Sequence, residues 1–222
     1  MAELGKIDRP NSEKFGNKRK LYVIPVFPFE EMSSHFNLET AKIERFWGEV
    51  REKIEHFISV YGNISTLYVE GISEDNGNDL KPFEKYGTGS NHFKLLKNLV
   101  DKGAKIRGID KEAHHDKLKL VYEEYSKSFL PEIKELHEVF FGRDIDFDGW
   151  RKFLTDRIQE IQGEMTKFMS GLLEEIPENT NGVLIITEGR VVEYPEGVDV
   201  FQVRPPAFDE IVRSLRDKGG FE

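Results

Sequence analysis

The sequence predicts an α/β fold: a mainly parallel central sheet of about five strands flanked by helices, with a long antiparallel helical hairpin inserted after the third strand. Three observations carry this reading. Short apolar runs rich in β-branched residues alternate with longer stretches whose apolar residues recur at steps of three and four. Glycine and polar turns punctuate the boundaries. Two of the helical stretches, both after the third apolar run, are longer than a crossover needs. An order of strand, helix, strand, helix, strand implies parallel strands joined by right-handed crossovers.

The first 19 residues are polar, lack an apolar segment of signal-peptide type, and are expected to form an arm ahead of a single α/β domain over 20–222. The first strand is predicted over 21–29, "LYVIPVFPF". Pro25 lies inside it and cannot donate to a ladder, so this strand should lie at a sheet edge or break there. Ile43, Phe46, Trp47, Val50, Ile54, Phe57, Ile58 and Tyr61 then form one stripe on a helix closed by Gly62. The second strand covers 64–70, and a polar glycine-rich loop separates it from a helix carrying Phe93, Leu95, Leu96, Leu99 and Val100. The third strand covers 104–110.

Residues 112–176 are predicted as a helical-hairpin subdomain. Its first arm, 116–141, carries Leu118, Val121, Tyr122, Tyr125, Phe129, Ile133, Leu136 and Phe140, with Pro131 expected to kink or split it. Its second arm, 148–176, carries Trp150, Leu154, Ile158, Ile161, Met165, Phe168 and Leu172, the strongest helical period in the chain. At 1.5 Å per residue it should reach about 40 Å, enough to cap the sheet or to pair with a second copy as a homodimer. Strands four and five are predicted over 181–190 and 197–206, with "YPEG" as a turn that would make them a hairpin. A final helix carries Phe208, Ile211, Val212 and Leu215.

Composition narrows the function classes. Hydrophobic residues make up 38% of the 222 and charged residues 33%, the pattern of a charged globule. The net charge of −9 argues against a general nucleic-acid or anionic-membrane surface. With no cysteine, disulfides, thiolate nucleophiles and cysteine-based metal sites are excluded. No run approaches about 18 apolar residues, so no membrane span is expected. A cytoplasmic setting is the expectation.

Candidate chemistry lies where the strands end. In open parallel sheets, ligands bind beyond the carboxyl ends of the strands. Glu30 and Glu31 follow the first strand, Glu70 the second, Asp110 the third, Glu188 the fourth and Arg204 the fifth. Strands ending "VEG", "GID" and "TEG" would gather Glu70, Asp110 and Glu188 at one rim as a candidate catalytic set. Close carboxylates either hold protons at raised pKa or hold a cation, so a divalent ion is the candidate cofactor, its identity open. Arg143, Arg190 and Arg204 could bind a carboxylate or phosphate ligand. Equally, they could neutralise the acids as ion pairs, which would make the rim structural.

Three further motifs have two readings each. "RDIDFDGW" reproduces the first half of a calcium loop with Asp144, Asp146, Asp148 and Gly149, but Thr155 stands where a bidentate Glu is needed. The other reading is a helix cap by Asp146 or Asp148. "IDKEAHHD" places His114 and His115 among acids. Neighbours on a helix diverge by about 100°, so both cannot face one ion. Gly87, Gly89 and Ser90 precede a helix as a phosphate loop would, or Ser90 or Asn91 simply caps it.

The order of "LYVEG", "KGAKIRGID", an Arg-Asp pair at 143–144, and an apolar strand ending "TEGR" resembles the TraB/PrgY–TIKI group, allied to the erythromycin esterase and ChaN proteins. The resemblance covers most of 20–205. It implies metal-assisted hydrolysis of peptides or esters, and by resemblance Glu70, Asp110, Arg143 and Asp144 match the group's motifs. The group's Gly-x-x-His motifs are absent: "VIPVFPFEE" has no histidine, and Glu188 and Arg190 stand where the second would fall. His35 could substitute only if its loop folds back. The expectation is therefore a hydrolase-like protein acting on a small molecule, ester or peptide. The alternative is a non-catalytic relative that binds a small anion or associates through its long helices.

Overall fold

The computed structural model describes residues 19–29, 38–73, 79–127 and 146–218. The elements run β1 (Arg19–Val26), α1 (Thr40–Tyr61), β2 (Ile64–Ser73), a 3-10 helix (Lys81–Tyr86), α2 (Asn91–Asp101), β3 (Lys105–Asp110), α3 (Glu112–Lys127), α4 (Phe147–Glu174), β4 (Asn181–Thr187), β5 (Val198–Gln202) and α5 (Pro206–Asp217). The five strands form one sheet in the order β3-β2-β4-β1-β5, and every neighbouring pair is parallel. The α/β fold with a parallel five-stranded sheet is therefore as the sequence predicts.

Strand order explains which helix covers which face. The connections from β1 to β2 and from β2 to β3 run toward one edge of the sheet, and the connection from β3 to β4 runs back. Right-handed crossovers then place α1 and α2 on one face and the α3–α4 connection on the other. The two cores follow this division. Tyr22, Ile24, Leu67, Val69, Val183 and Ile185 pack with α1, α2 and α5. Leu21, Val23, Tyr68, Leu184 and Ile186 pack with Met169, Leu172, Leu173 and Ile176 at the end of α4. Alternate residues of β1 and β4 thus enter opposite cores, which is why these strands read as continuous apolar runs.

Two expectations are corrected. β4 and β5 are not a hairpin: β1 lies between them and pairs in parallel with both. The turn residues of "YPEG" mark a loop that carries the chain across β1. Nor is β1 an edge strand. Val23 O accepts from Val203 N while Val26 O accepts from Glu188 N, so odd-numbered positions of β1 face β5. Pairing with β5 stops at Val23↔Gln202. Pro25 therefore turns its missing N–H toward a side where the neighbouring strand has already ended, and the edge condition is met locally within a central strand.

Two glutamates of α1 tie the helical layer together. Glu44 Oε2 accepts from Asn91 N at 2.8 Å, and Glu49 Oε2 accepts from Ala207 N at 2.9 Å. Each carboxylate thus serves an otherwise unpaired N–H at the start of a neighbouring helix, where it also meets the positive end of that helix's dipole. On the far side, α3 and α4 pack through Lys117 to Glu164 and Tyr122 to Gln162, an order in which one number rises as the other falls. The stretch 128–145, which contains Pro131 and would close the predicted hairpin, lies outside the described residues. No residue of α3 is buried, and Leu120, Tyr122 and Phe153 are exposed. Among the described residues no helix is long and apolar enough to cross a membrane.

Phe46 shows how the first core is assembled. It is fully buried and its ring meets those of Phe29, Trp47 and Phe208 at 5.6, 5.0 and 5.9 Å. Phe46→Ala should lower unfolding free energy by about 3–5 kcal/mol in urea titrations, the cost of lost burial plus a residual cavity. A loss below about 1 kcal/mol would mean that this aromatic cluster is not the packed centre of the face.

Candidate functional site

The site is built at the carboxyl ends of β2, β3 and β4. β2 ends in an irregularity between Val69 and Ser73, and within it Gly71 takes a φ of 79°, a left-handed conformation that glycine adopts without strain. This turns Gly71 N–H toward β3, where it donates to Asp110 Oδ2 at 3.0 Å. After β4 the chain reverses in a tight turn: Arg190 N donates to Thr187 O at 3.1 Å, with Gly189 at φ 85° in the third position. The "TEGR" segment thereby folds Arg190 back over the strand ends.

Arg190 is the bridge. Its Nη1 donates to Glu70 Oε1 at 2.6 Å and its Nη2 to Asp110 Oδ1 at 2.6 Å. The other oxygen of Glu70 accepts from Thr187 N. One guanidinium fork thus joins the ends of β2 and β3 from the turn that follows β4. Asp110 is fully buried. Burial alone would push its carboxyl up, but the Arg190 and Gly71 hydrogen bonds outweigh it and hold the group below the ordinary carboxylate value. Burial likewise opposes the charge on Arg190, and Asp110 with Glu70 more than restores it. The centre is an ion triad in which Asp110 is buried and held ionised, while Arg190 and Glu70 are partly exposed.

His115 completes the group. It stands in the first turn of α3, with Nε2 3.4 Å from Asp110 Oδ2 and nearly half of its side chain exposed. His114 turns the other way, to Glu164 at 3.7 Å and edge-on to Phe168. The two histidines diverge as helical neighbours must. His115 and Glu70 both line a cleft of about 620 Å³ on the α1 and α2 side of the sheet. Its walls include Phe27, Trp47, Ile72, Phe83, His92 and Thr187. Burial, helped by the charge on Lys85, depresses His92 to about pKa 3, so its ring is neutral at any physiological pH.

The sequence-predicted residues divide as follows. Glu70, Asp110 and Arg190 come together. Glu188 engages Arg204 instead, in a more exposed pair that Arg204 extends by lying 5.1 Å from the centroid of the Phe208 ring. Arg143, Asp144, Glu30, Glu31 and His35 lie outside the described residues. The acids meet a guanidinium rather than one another, so the ion-pair alternative read from the sequence describes this rim. A divalent cation does not fit Glu70 and Asp110 as they stand, because Arg190 holds an oxygen of each, and backbone N–H groups of Thr187 and Gly71 hold the others. Among the described residues no group of three His, Asp or Glu could hold a metal ion.

The cap readings describe the two remaining motifs. Asp146 Oδ1 accepts from Gly149 N at 2.8 Å at the start of α4. Ser90 Oγ accepts from Phe93 N at 3.1 Å, and Glu44 takes the adjacent Asn91 N, so the chain's own oxygens serve the start of α2. Sequence reasoning missed the pairing of His115 with Asp110. The available signal was a histidine five residues beyond a strand-terminal acid, at the opening of a helix. It also read Trp47 as core alone, although Trp47 lines the cleft. No family model, curated protein or solved structure matches the chain.

Acid should expose the role of Asp110. A carboxyl held below its unfolded value, about 3.9, contributes stability that is complete above that pH and is lost as pH falls through the folded value. Asp110→Asn should cost about 3–5 kcal/mol near neutral pH, because it removes a buried charge pair and leaves the partly buried Arg190 with one partner fewer. The difference from wild type should shrink below about pH 4 in urea titrations run from pH 7 to pH 2. A difference that stays constant across that range would show that Asp110 is not ionised in the folded protein.

Proposed function

We propose that this protein is a small-molecule hydrolase of ester or amide type, with His115 as general base and Asp110 as the group that orients it. The reading rests chiefly on one observation: His115, at the wall of a cleft, has Nε2 beside a buried carboxylate. A base within reach of a fixed acid, at the edge of a largely apolar pocket, is the arrangement that activates water for attack on a carbonyl. In the tautomer protonated at Nε2, which lies 3.4 Å from Asp110 Oδ2, Nδ1 is the accepting nitrogen.

The chemistry balances without a further reactant. Water attacks the carbonyl carbon while its proton passes to Nδ1 of His115. The tetrahedral species then collapses, and the same proton leaves with the departing alcohol or amine. Asp110 stabilises the imidazolium between these steps, and Arg190 and Gly71 keep Asp110 ionised and aligned. Glu70 acts through Arg190, as a positioning residue. Metal assistance, implied by the family resemblance, is not part of this proposal, since the acids are engaged by Arg190. The anion-binding alternative is weaker for the same reason, because Arg190 and Arg204 both hold carboxylates.

Hydrolysis of p-nitrophenyl esters, from acetate to benzoate, tests the reading. The wild-type protein should turn over at least one ester above the buffer rate, and His115→Gln should lower kcat/KM by about 10²–10⁴-fold with unchanged thermal stability. Equal rates for wild type and His115→Gln, or no ester cleaved above buffer, would contradict it.

A further inference from the structure

The walls of the cleft speak to what it holds. Its rings come from four separate segments: Phe27 and Phe29 just after β1, Trp47 on α1, Phe83 in the 3-10 helix and His92 at the start of α2. Trp47 and His92 are stacked with centroids 4.0 Å apart and planes 15° from parallel, and Phe83 meets His92 edge-on at 6.2 Å. Buried and neutral, His92 behaves as one more aromatic ring. Among the described residues, the charged side chains at the wall are Glu44, Glu70 and Lys85, with His115 beside them. Both carboxylates are already hydrogen-bonded, Glu44 to Asn91 N and Glu70 to Thr187 N and Arg190.

We infer that the cleft selects a flat, uncharged aromatic group, so that the substrate is an ester or amide carrying such a ring on its acyl or leaving side. Aromatic walls favour a ring over an aliphatic group of equal size, because ring quadrupoles meet edge-to-face or offset. Among the described residues the lining carries two carboxylates, one of them paired with Arg190, against one lysine, so it offers no surplus positive charge to an anion. The volume of about 620 Å³ admits a two-ring molecule with room for the carbonyl near His115. This inference takes the location of the site from the hydrolase reading, but it concerns binding and is measured without turnover.

The chain has two tryptophans, so a ¹⁵N-labelled sample should show two indole N–H signals, and Trp150→Phe assigns that of Trp47. Titration compares 2-naphthol, decahydro-2-naphthol, which has the same skeleton but is neither flat nor aromatic, and naphthalene-2-sulfonate. 2-Naphthol should shift the Trp47 signal and bind about tenfold more tightly than either of the others. Phe83→Leu should narrow its preference over the decahydro compound. Equal binding of the three, tighter binding of the sulfonate, or no shift at Trp47 would overturn the inference. If 2-naphthol binds and no ester is cleaved, the ring-selective cleft stands and the hydrolase reading fails. If aliphatic esters are cleaved and 2-naphthol does not bind, the reverse holds.

Discussion

A single guanidinium fork organises this protein's functional end. Arg190 reaches from the turn after β4 to the terminal carboxylates of β2 and β3, and Asp110 is fully buried beneath it. Taking a carboxylate out of water is costly, and such a group survives only where charge and hydrogen bonds replace the lost solvent. Here Arg190 supplies the charge and Gly71 N–H a further donor. The sheet order makes this possible. β2 and β4 are neighbours whose chains leave in opposite directions, toward β3 and toward β5, so a crevice opens between their ends. The Glu70–Arg190 pair, with the Thr187 N–H, spans the two sides of that crevice.

The same arrangement sets what chemistry is available. Acids that face each other invite a proton or a metal ion, whereas acids that share an arginine become fixed negative posts. Asp110 then lies 3.4 Å from His115 with its charge already held by Arg190, and Glu70 holds the other arm of the same guanidinium. The residue with exposure and freedom to move a proton is the histidine, and it stands at the cleft. Rings, rather than ionic groups, make up much of the cleft's interior, and the two Glu carboxylates at its wall are hydrogen-bonded.

Much of the architecture was legible in the sequence, because buried parallel strands and amphipathic helices each leave a strong pattern. The apolar runs around Tyr22, Tyr68, Ile106, Leu184 and Val200 all became strands, and α4 lies close to where its period of three and four placed it. Strand order was not legible. It depends on which apolar faces meet, and the pairing of β1 with β4 and β5 joins segments more than 150 residues apart. The position of Pro25 pointed to an edge, but proline constrains only one side of a strand, and β5 stops short on that side. For the site, strand-terminal acids pointed to Glu70 and Asp110, which the structure brings together, but "TEGR" was read as the end of the fourth strand, whereas β4 stops at Thr187 and the chain turns there, and Glu188 leaves the expected set for Arg204. The choice of partner for each arginine was not readable, since it is fixed by the φ angles of two glycines and by the exit path after β5, which brings Arg204 to Glu188.

The most direct test of this account is a double-mutant cycle between Arg190 and Asp110, with Arg190→Met, Asp110→Asn and the double variant compared by urea unfolding at pH 7. The account predicts strong coupling: the double variant should be less destabilised than the sum of the single variants by about 2 kcal/mol or more, since Arg190→Met leaves buried Asp110 without its cation and Asp110→Asn leaves Arg190 with Glu70 alone. Additivity within about 0.5 kcal/mol would contradict it, and would mean that the strand ends are held by something other than this ion pair.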